Sequence, residues 1–329
     1  MRAPEFWRHG GLLPALLSPA SAIWRHCAAS RIRRGVPEKA GVPVICIGNV
    51  VAGGAGKTPV AMSVAESLLR QGAKPHFLSR GYGGTTVSPT RVDPAHHSAR
   101  DVGDEPLLLA RHAPTWVARD RVAGAKTAAS AGADAIILDD GFQNPALYKD
   151  LSILVVDGGY GFGNGQVMPA GPLREDLNGA IGRADAVAII GTDSQRIGIS
   201  ISDDKPVLAA RFVPRIEDDD LSGTAVLAFA GIGRPQKFFD TLAGMGCNLV
   251  ATRAFADHHP YTSDEVMQLL EEAAAAGAVA VTTEKDAVRL PAESRDIVRT
   301  LGVTLEWRDP GALDRLVSSV LSPPPTAKV

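Results

Sequence analysis

Residues 49–58 read Asn49-Val50-Val51-Ala52-Gly53-Gly54-Ala55-Gly56-Lys57-Thr58, and they close an apolar run that begins at Val42. A strand, a glycine-rich turn and then Gly56-Lys57-Thr58 opening a helix form the layout of a phosphate-binding loop. Small residues let successive backbone N–H groups turn inward and cradle phosphate oxygens. Gly53, Gly54, Ala55 and Gly56 supply that freedom, and the helix that follows adds its positive N-terminal end. Lys57 would reach the outer phosphates, and the Thr58 hydroxyl would hold Mg²⁺. Pro59 falls in the first helical turn, where a missing N–H costs little. The pattern G-x-x-x-x-G-K-[ST] puts its first glycine at Val51, so only the outer end of the loop departs from it. A nucleoside triphosphate is the first ligand the chain implies.

The chain has 329 residues, enough for two domains. Hydrophobic residues make up 45% and charged residues 21%, which leaves ample material for a globular core. A net charge of −2 and only 5% aromatics argue against nucleic acid as the main partner, since neither a basic footprint nor a stacking platform is present. Cys27, Cys46 and Cys247 are far apart, which fits a reducing compartment and offers no structural zinc set. The first forty residues break this average, with seven Arg or Lys against Glu5 and Glu38. Between the basic residues lies an apolar stretch, 12–24, interrupted by Pro14, Ser18 and Pro19. It is too short and broken to span a bilayer, and no clear cleavage site makes it a signal peptide. Leu, Ile and Trp beside arginines suit a segment lying in a membrane interface.

Beyond this segment, β-branched apolar runs alternate with Ala/Leu-rich stretches of helical period. Strands are expected over 42–48, 74–79, 135–138, 152–156 and 186–190, and helices over 60–71, 105–111 and 120–131. Continuous apolar strands separated by helices mean a parallel sheet covered on both faces. A polar stretch, 191–204, interrupts the pattern. A second series follows, with strands over 207–212, 225–230, 248–255, 279–283 and 303–307, and helices over 235–243, 263–276 and 311–321. The expected fold class is α/β: a doubly wound, mostly parallel sheet of the P-loop NTPase kind with a second, smaller αβ lobe. The expected division is a basic apolar segment at 1–35, a nucleotide-binding lobe at 36–200, a second lobe at 201–322 and a disordered tail at 323–329.

Several strand ends carry polar clusters. Ala135-Ile136-Ile137-Leu138 runs into Asp139-Asp140, and an acid at that edge of a doubly wound sheet can hold Mg²⁺ directly or through water. Sequence does not say which of the two acids is nearer the metal. Ser79-Arg80-Gly81-Tyr82-Gly83-Gly84 allows close backbone approach to a ligand, with Tyr82 or Arg80 in reach. Asp101-Val102-Gly103-Asp104-Glu105-Pro106 places acids before a helix, where they either cap it or aim a carboxylate at an acceptor hydroxyl. A long Gly/Pro loop, 161–175, ends in Pro172-Leu173-Arg174-Glu175, and Arg174 can neutralise charge on a phosphoryl group. Asp257-His258-His259-Pro260 ends a strand of the second series, where a histidine can act as or tune a general base. Thr282-Thr283-Glu284-Lys285-Asp286 is another polar strand end.

Taken together, segments 47–59, 79–84, 101–106, 138–143, 161–175, 230–238, 255–261 and 281–286 resemble the tetraacyldisaccharide 4′-kinase family, the lipid A 4′-kinases of Gram-negative bacteria. The family itself departs from glycine at the place of Val51. The resemblance implies a P-loop lobe and a smaller αβ lobe closing over ATP and Mg²⁺. It implies transfer of the γ-phosphate to the 4′-hydroxyl of an acylated glucosamine disaccharide 1-phosphate at the cytoplasmic face of the inner membrane. Residue by residue, the catalytic acid matches Asp104 and its histidine partner matches His258. The strand-end acids match Asp139 and Asp140, and the arginine of Pro-Leu-Arg-Glu matches Arg174. The basic N-terminal segment corresponds to the family's membrane-contact helix.

A regulatory or metal-delivery P-loop NTPase is the alternative, since such proteins share Gly-Gly-x-Gly-Lys-Thr. Partition-type members carry a lysine where Ala52 stands, metal-delivery members bring Cys or His clusters, and no guanine-selecting Asn-Lys-x-Asp is evident. A non-catalytic membrane-docking protein would not need the segments around Asp104, Arg174 and His258.

Overall fold

Val44, Ile45, Cys46 and Ile47 offer no polar side chain to water, so β1 (Val44–Gly48) lies at the centre of a sheet covered on both faces. The computed structural model describes residues 4–201, 205–215 and 221–321; the expected tail at 323–329 lies outside them. The other strands are β2 (Pro75–Ser79), β3 (Thr90–Arg91), β4 (Thr115–Val117), β5 (Ala135–Asp139), β6 (Leu151–Asp157), β7 (Ala186–Ile190) and β8 (Val207–Arg215). They continue with β9 (Ala225–Ala230), β10 (Asn248–Ala254), β11 (Val279–Thr283) and β12 (Arg299–Trp307). The helices are α1 (Leu12–Arg34), α2 (Lys57–Arg70), α3 (Ala99–Val102), α4 (Asp104–Leu109), α5 (Arg121–Ser130) and α6 (Leu177–Arg183). After them come α7 (Ile197–Ser200), α8 (Pro235–Gly244), α9 (Ser263–Ala275), α10 (Glu284–Ala287) and α11 (Pro310–Leu321).

Among the described residues, twelve strands join one sheet, in the order β10-β9-β11-β12-β8-β7-β6-β1-β5-β2-β4-β3. Neighbours are parallel except β3 against β4 and β12 against β8. Alternation along each central strand builds the two layers. Cys46, Ile136, Leu138 and Leu154 pack with α5 and α6 on one face, while Ile45, Ile47, Ile137 and Ile153 pack with α2 on the other. The second lobe repeats the scheme: Val226, Ala228 and Ala230 of β9 face α8, and Leu227 and Phe229 face α9.

The chain does not divide as simply as the sequence suggests. β8 falls in the stretch expected for the second lobe, yet it pairs in parallel with β7. β12 begins at Arg299, earlier than its apolar run predicts, because it is bonded to β11 on one side and β8 on the other. α11 then returns to α2: Leu313 and Val317 are buried in the first lobe's core, and Asp314 accepts hydrogen bonds from Ser67 (2.5 Å) and Arg70 (2.8 Å). α1 takes a different course. Its buried residues are Pro14 and Ser21, whereas Leu12 (86%), Leu16 (77%) and Ile23 (68%) are exposed. It is held by its polar edges: the Trp24 indole donates to the Arg174 carbonyl, Arg31 donates to the Gln143 carbonyl, and Ser21 Oγ accepts from Ala170 N.

Candidate active site

The C-terminal ends of β1, β2, β5 and β6 open on one edge, and the polar segments gather there. Gly56 caps α2 with φ of 90°, a left-handed conformation that favours glycine, and a side chain there would also meet the Phe212 ring at 3.1 Å. Asn49 is fully buried and holds the loop from inside: its amide donates to Val51 O (2.7 Å) and Gly53 O (3.3 Å), and its Oδ1 accepts from Lys57 Nζ (3.3 Å). The outer end is stitched to the Pro-Leu-Arg segment. Ala52 N donates to Pro172 O, Arg174 N donates to Val50 O, and Val51 pairs antiparallel with Leu173.

The two strand-end acids have different surroundings. Asp140, at a left-handed φ of 54°, faces Lys57 Nζ at 3.5 Å and Arg174 Nη1 at 3.0 Å. Burial works against its charge, but the two cations outweigh it and hold the carboxyl below the ordinary range. Asp139 is 1% exposed, and neither of its oxygens has a hydrogen-bond partner among the described residues. Burial, then the charge of Glu105, pushes its carboxyl well above the ordinary range. A buried carboxylate without a partner carries a desolvation cost that a cation would offset.

A second cluster joins the lobes. Asp104 opens α4 after Gly103, whose φ of 89° and close approach to the Tyr82 carbonyl fix the turn. His258 sits on the loop after β10, itself left-handed at φ 60° and tied by its N–H to Gly231 O. Across 154 positions of sequence, His258 Nδ1 lies 2.9 Å from Asp104 Oδ2. Burial opposes the Asp104 charge, but the hydrogen bond from His258 and the charges of Lys285, His258 and Arg289 bring it down to about 2. The same hydrogen bond raises His258 above its ordinary value, against burial. Lys285 Nζ meets Glu105 at 2.9 Å between the same lobes, and both groups also act electrostatically on Asp139. Tyr82, 72% exposed, has its ring centroid 6.1 Å from the His258 ring. A third cross-lobe contact pairs Asp157, at the end of β6, with Arg234 (2.8 Å) and Lys237 (2.7 Å) of the second lobe.

The sequence profile of the tetraacyldisaccharide-1-P 4′-kinases matches residues 13–322. The chain belongs to this family. It is 53% identical to the tetraacyldisaccharide 4′-kinase of Rhodospirillum centenum, over 98% of this chain and 97% of that protein. It is 50% identical to the one of Rhodospirillum rubrum, over 98% of each. A crystal structure of LpxK from Aquifex aeolicus in complex with ATP is similar at a TM-score of 0.77, with 26% identity, 94% of this chain and all of that one covered. The family's P-loop kinase fold, a mostly parallel α/β sheet, agrees with the class expected from sequence.

Lys57, Arg174 and Asp140 thus come together at the phosphate loop of this kinase-family chain, and Asp104 and His258 come together between its lobes. Tyr82, expected to touch nucleotide, stands beside His258. His259 is separate from the pair: it stacks on Phe255 at 4.7 Å and contacts Glu265 at 3.2 Å. Arg289 escaped the sequence reading, Asn49 received no role in it, and Asp286 entered it only as the last residue of a polar strand end. For Arg289, its place four residues after Lys285 at a polar strand end is the one available signal.

Proposed function

We infer that the chain is a tetraacyldisaccharide 4′-kinase, moving the γ-phosphate of ATP to the 4′-hydroxyl of an acylated glucosamine disaccharide 1-phosphate in lipid A biosynthesis. The observation that carries the mechanism is the 2.9 Å contact between Asp104 of one lobe and His258 of the other. Phosphoryl transfer asks mainly for alignment and charge neutralisation. The backbone N–H groups of Gly53, Gly54, Ala55 and Gly56 would take the phosphate oxygens, for which Lys57 would exchange Asp140. Arg174, borne by a segment stitched to the loop, meets charge on the transferring group. Thr58 and the unpartnered Asp139 fit Mg²⁺, which takes few protein ligands and completes its shell with phosphate and water. Bound there, the ion neutralises charge on the phosphates. Asp140, already engaged by Lys57 and Arg174, is the weaker ligand of the two acids.

At the acceptor, the hydroxyl proton passes to the Asp104–His258 pair. Against burial, the hydrogen bond from His258 and the nearby cations hold the Asp104 carboxyl low, and the same bond raises the imidazole; the imidazole is thus the stronger base of the pair, and the carboxylate orients and stabilises it. Because each lobe contributes one member, the pair is complete only in the closed arrangement, which limits transfer to water. Residues 36–200 serve as the nucleotide lobe and 201–322 as the second lobe, with β8 and α11 joining the first. Residues 1–35 lie on the membrane surface at the cytoplasmic face. Exposed Leu12, Leu16, Ile23 and Trp24 support this, together with Arg25, Arg31, Arg33 and Arg34. No helix among the described residues is long and apolar enough to cross a membrane.

Two assays test this reading. Labelled ATP and a purified tetraacyl disaccharide 1-phosphate should give a product phosphorylated at the 4′ oxygen; ATP turnover indifferent to the acceptor would point to a switch NTPase instead. Deleting residues 1–30 should weaken sedimentation with anionic vesicles, each basic residue contributing about 1 kcal/mol. Undiminished sedimentation would remove α1 from the membrane.

A further inference from the structure

Arg289 touches Asp104 and, through main-chain carbonyls, the turn that carries His258. Its guanidinium is almost wholly buried, with 5% of the side chain exposed. Nε donates to Lys285 O at 3.0 Å and lies 3.4 Å from Asp104 Oδ2, an ion pair with the same oxygen that receives His258. Nη1 donates to Gly231 O at 3.0 Å and to His259 O at 3.3 Å. Gly231 O also accepts the backbone N–H of His258, so Arg289 braces the left-handed turn that aims the imidazole. Nη2 lies 3.4 Å from Asp286, which in turn accepts from Gly231 N and the Tyr261 hydroxyl at 2.8 Å each. The hydrogen bonds of this guanidinium go to the carbonyls of Lys285, Gly231 and His259, all in its own lobe, while Nη2 makes none among the described residues; the carboxylate of the opposite lobe is an added charge contact that fold stability alone does not call for.

We propose that Arg289 is a positioning residue of the kinase reaction, setting Asp104 and the His258 loop in register when the lobes meet. The inference rests on reading Asp104 and His258 as the proton-accepting pair. The groups facing Asp104 are His258, Lys285 and Arg289 from the second lobe and Glu105 from its own helix. Removing the Arg289 cation leaves the Asp104 charge less neutralised, which raises the pKa of the imidazole that takes the proton. The acid limb of the rate profile then moves to higher pH.

The test compares wild type, Arg289→Met, Arg289→Lys, Asp104→Asn and Arg289→Met/Asp104→Asn as full chains with ATP and the tetraacyl disaccharide 1-phosphate. Arg289→Met should lower kcat about 10–100-fold, the span for partners that orient a reacting side chain. KM for ATP should stay within about twofold, and the acid limb should move alkaline. Arg289→Lys, which keeps the charge but reaches fewer partners, should recover part of kcat and return the limb toward wild type. The double variant should fall little below Asp104→Asn alone, because both act through one carboxylate. Near-wild-type kcat with an unmoved limb in Arg289→Met overturns the proposal while leaving the pair intact. So do fully additive losses in the double variant. If Arg289→Met does not fold, Arg289→Lys decides: a kcat below wild type with KM for ATP within about twofold supports the positioning role, and either wild-type kcat or a loss shared equally by kcat and ATP binding overturns it. Full activity in Asp104→Asn would reject the pair itself, and this proposal with it.

Discussion

Replacing Asp104 or His258 by alanine is expected to lower kcat by roughly 10²–10⁴-fold, the range for loss of a general base, with milder effects on ATP binding. Steady-state assays with saturating ATP check this, and near-normal kcat in both variants would falsify the pairing as the proton acceptor. The imidazole also predicts a spectroscopic signature. Its pKa is raised by Asp104, so the charged pair contributes stability below pH 6.5 and loses it as pH rises through the folded value. Asp104 behaves oppositely: its depressed pKa contributes stability above pH 3.8, lost as pH falls toward 2. An NMR titration should place the His258 midpoint above 6.5 in wild type and bring it back toward 6.5 in Asp104→Asn; coincident midpoints would mean that the pair is not formed in solution. At this scale the sequence announces residues whose backbone setting is local. Lys57 follows Gly56, and Asp104 follows Gly103. Arg289 and Asn49 are silent because their roles depend on what folding brings near them: the carbonyls of Gly231 and His259, and a lysine already explained by phosphate.

Elements were legible where burial writes itself into composition. β1, β5, β6, β7 and β9 are apolar on both faces and fall within two residues of their expected limits. β4 was missed because three residues are too few to show a period, and the first part of β12 because Arg299-Thr300 reads as loop until two neighbours bond to it. α11 was expected as a helix, but nothing local says that its apolar face belongs to α2. That docking yields a prediction. Leu313 is 2% exposed, so Leu313→Ala should cost about 2–5 kcal/mol in urea unfolding, as buried leucine truncations do. A loss below about 1 kcal/mol would indicate that the helix detaches readily and that the cavity is not retained.

For the molecule as a whole, the lobes are joined by ladder bonds through β8 and β12, by apolar packing of Val288 against Val102, Leu107 and Val117 and of α11 against α2, and by charge across the seam. Asp157 is the first-lobe side of one such clasp, and its 8% exposure makes its partners hard to replace by water. Asp157→Ala leaves Arg234 and Lys237 facing each other without a counterion. Lys237 is more than half exposed, so most of the effect falls on Arg234. Amide exchange around residues 234–238 should quicken by about tenfold, consistent with loss of a charge-assisted hydrogen bond of about 1.5 kcal/mol. Exchange unchanged there would show that this clasp does not hold the seam. None of this was readable from sequence, because Asp157 ends an ordinary strand and its partners lie some eighty positions away.

The stitching of Val51 to Leu173 has a consequence for how such an enzyme is governed. Many phosphate-loop proteins wait for a stimulatory arginine delivered by another molecule. Here Arg174 is sewn by main-chain bonds to the cradle itself, one residue beyond the Val51 bridge. In the role proposed for Arg174, the chain carries its own arginine at the cradle and needs none from another molecule. What remains to set the pace is the arrival of the sugar and the meeting of the two halves around it.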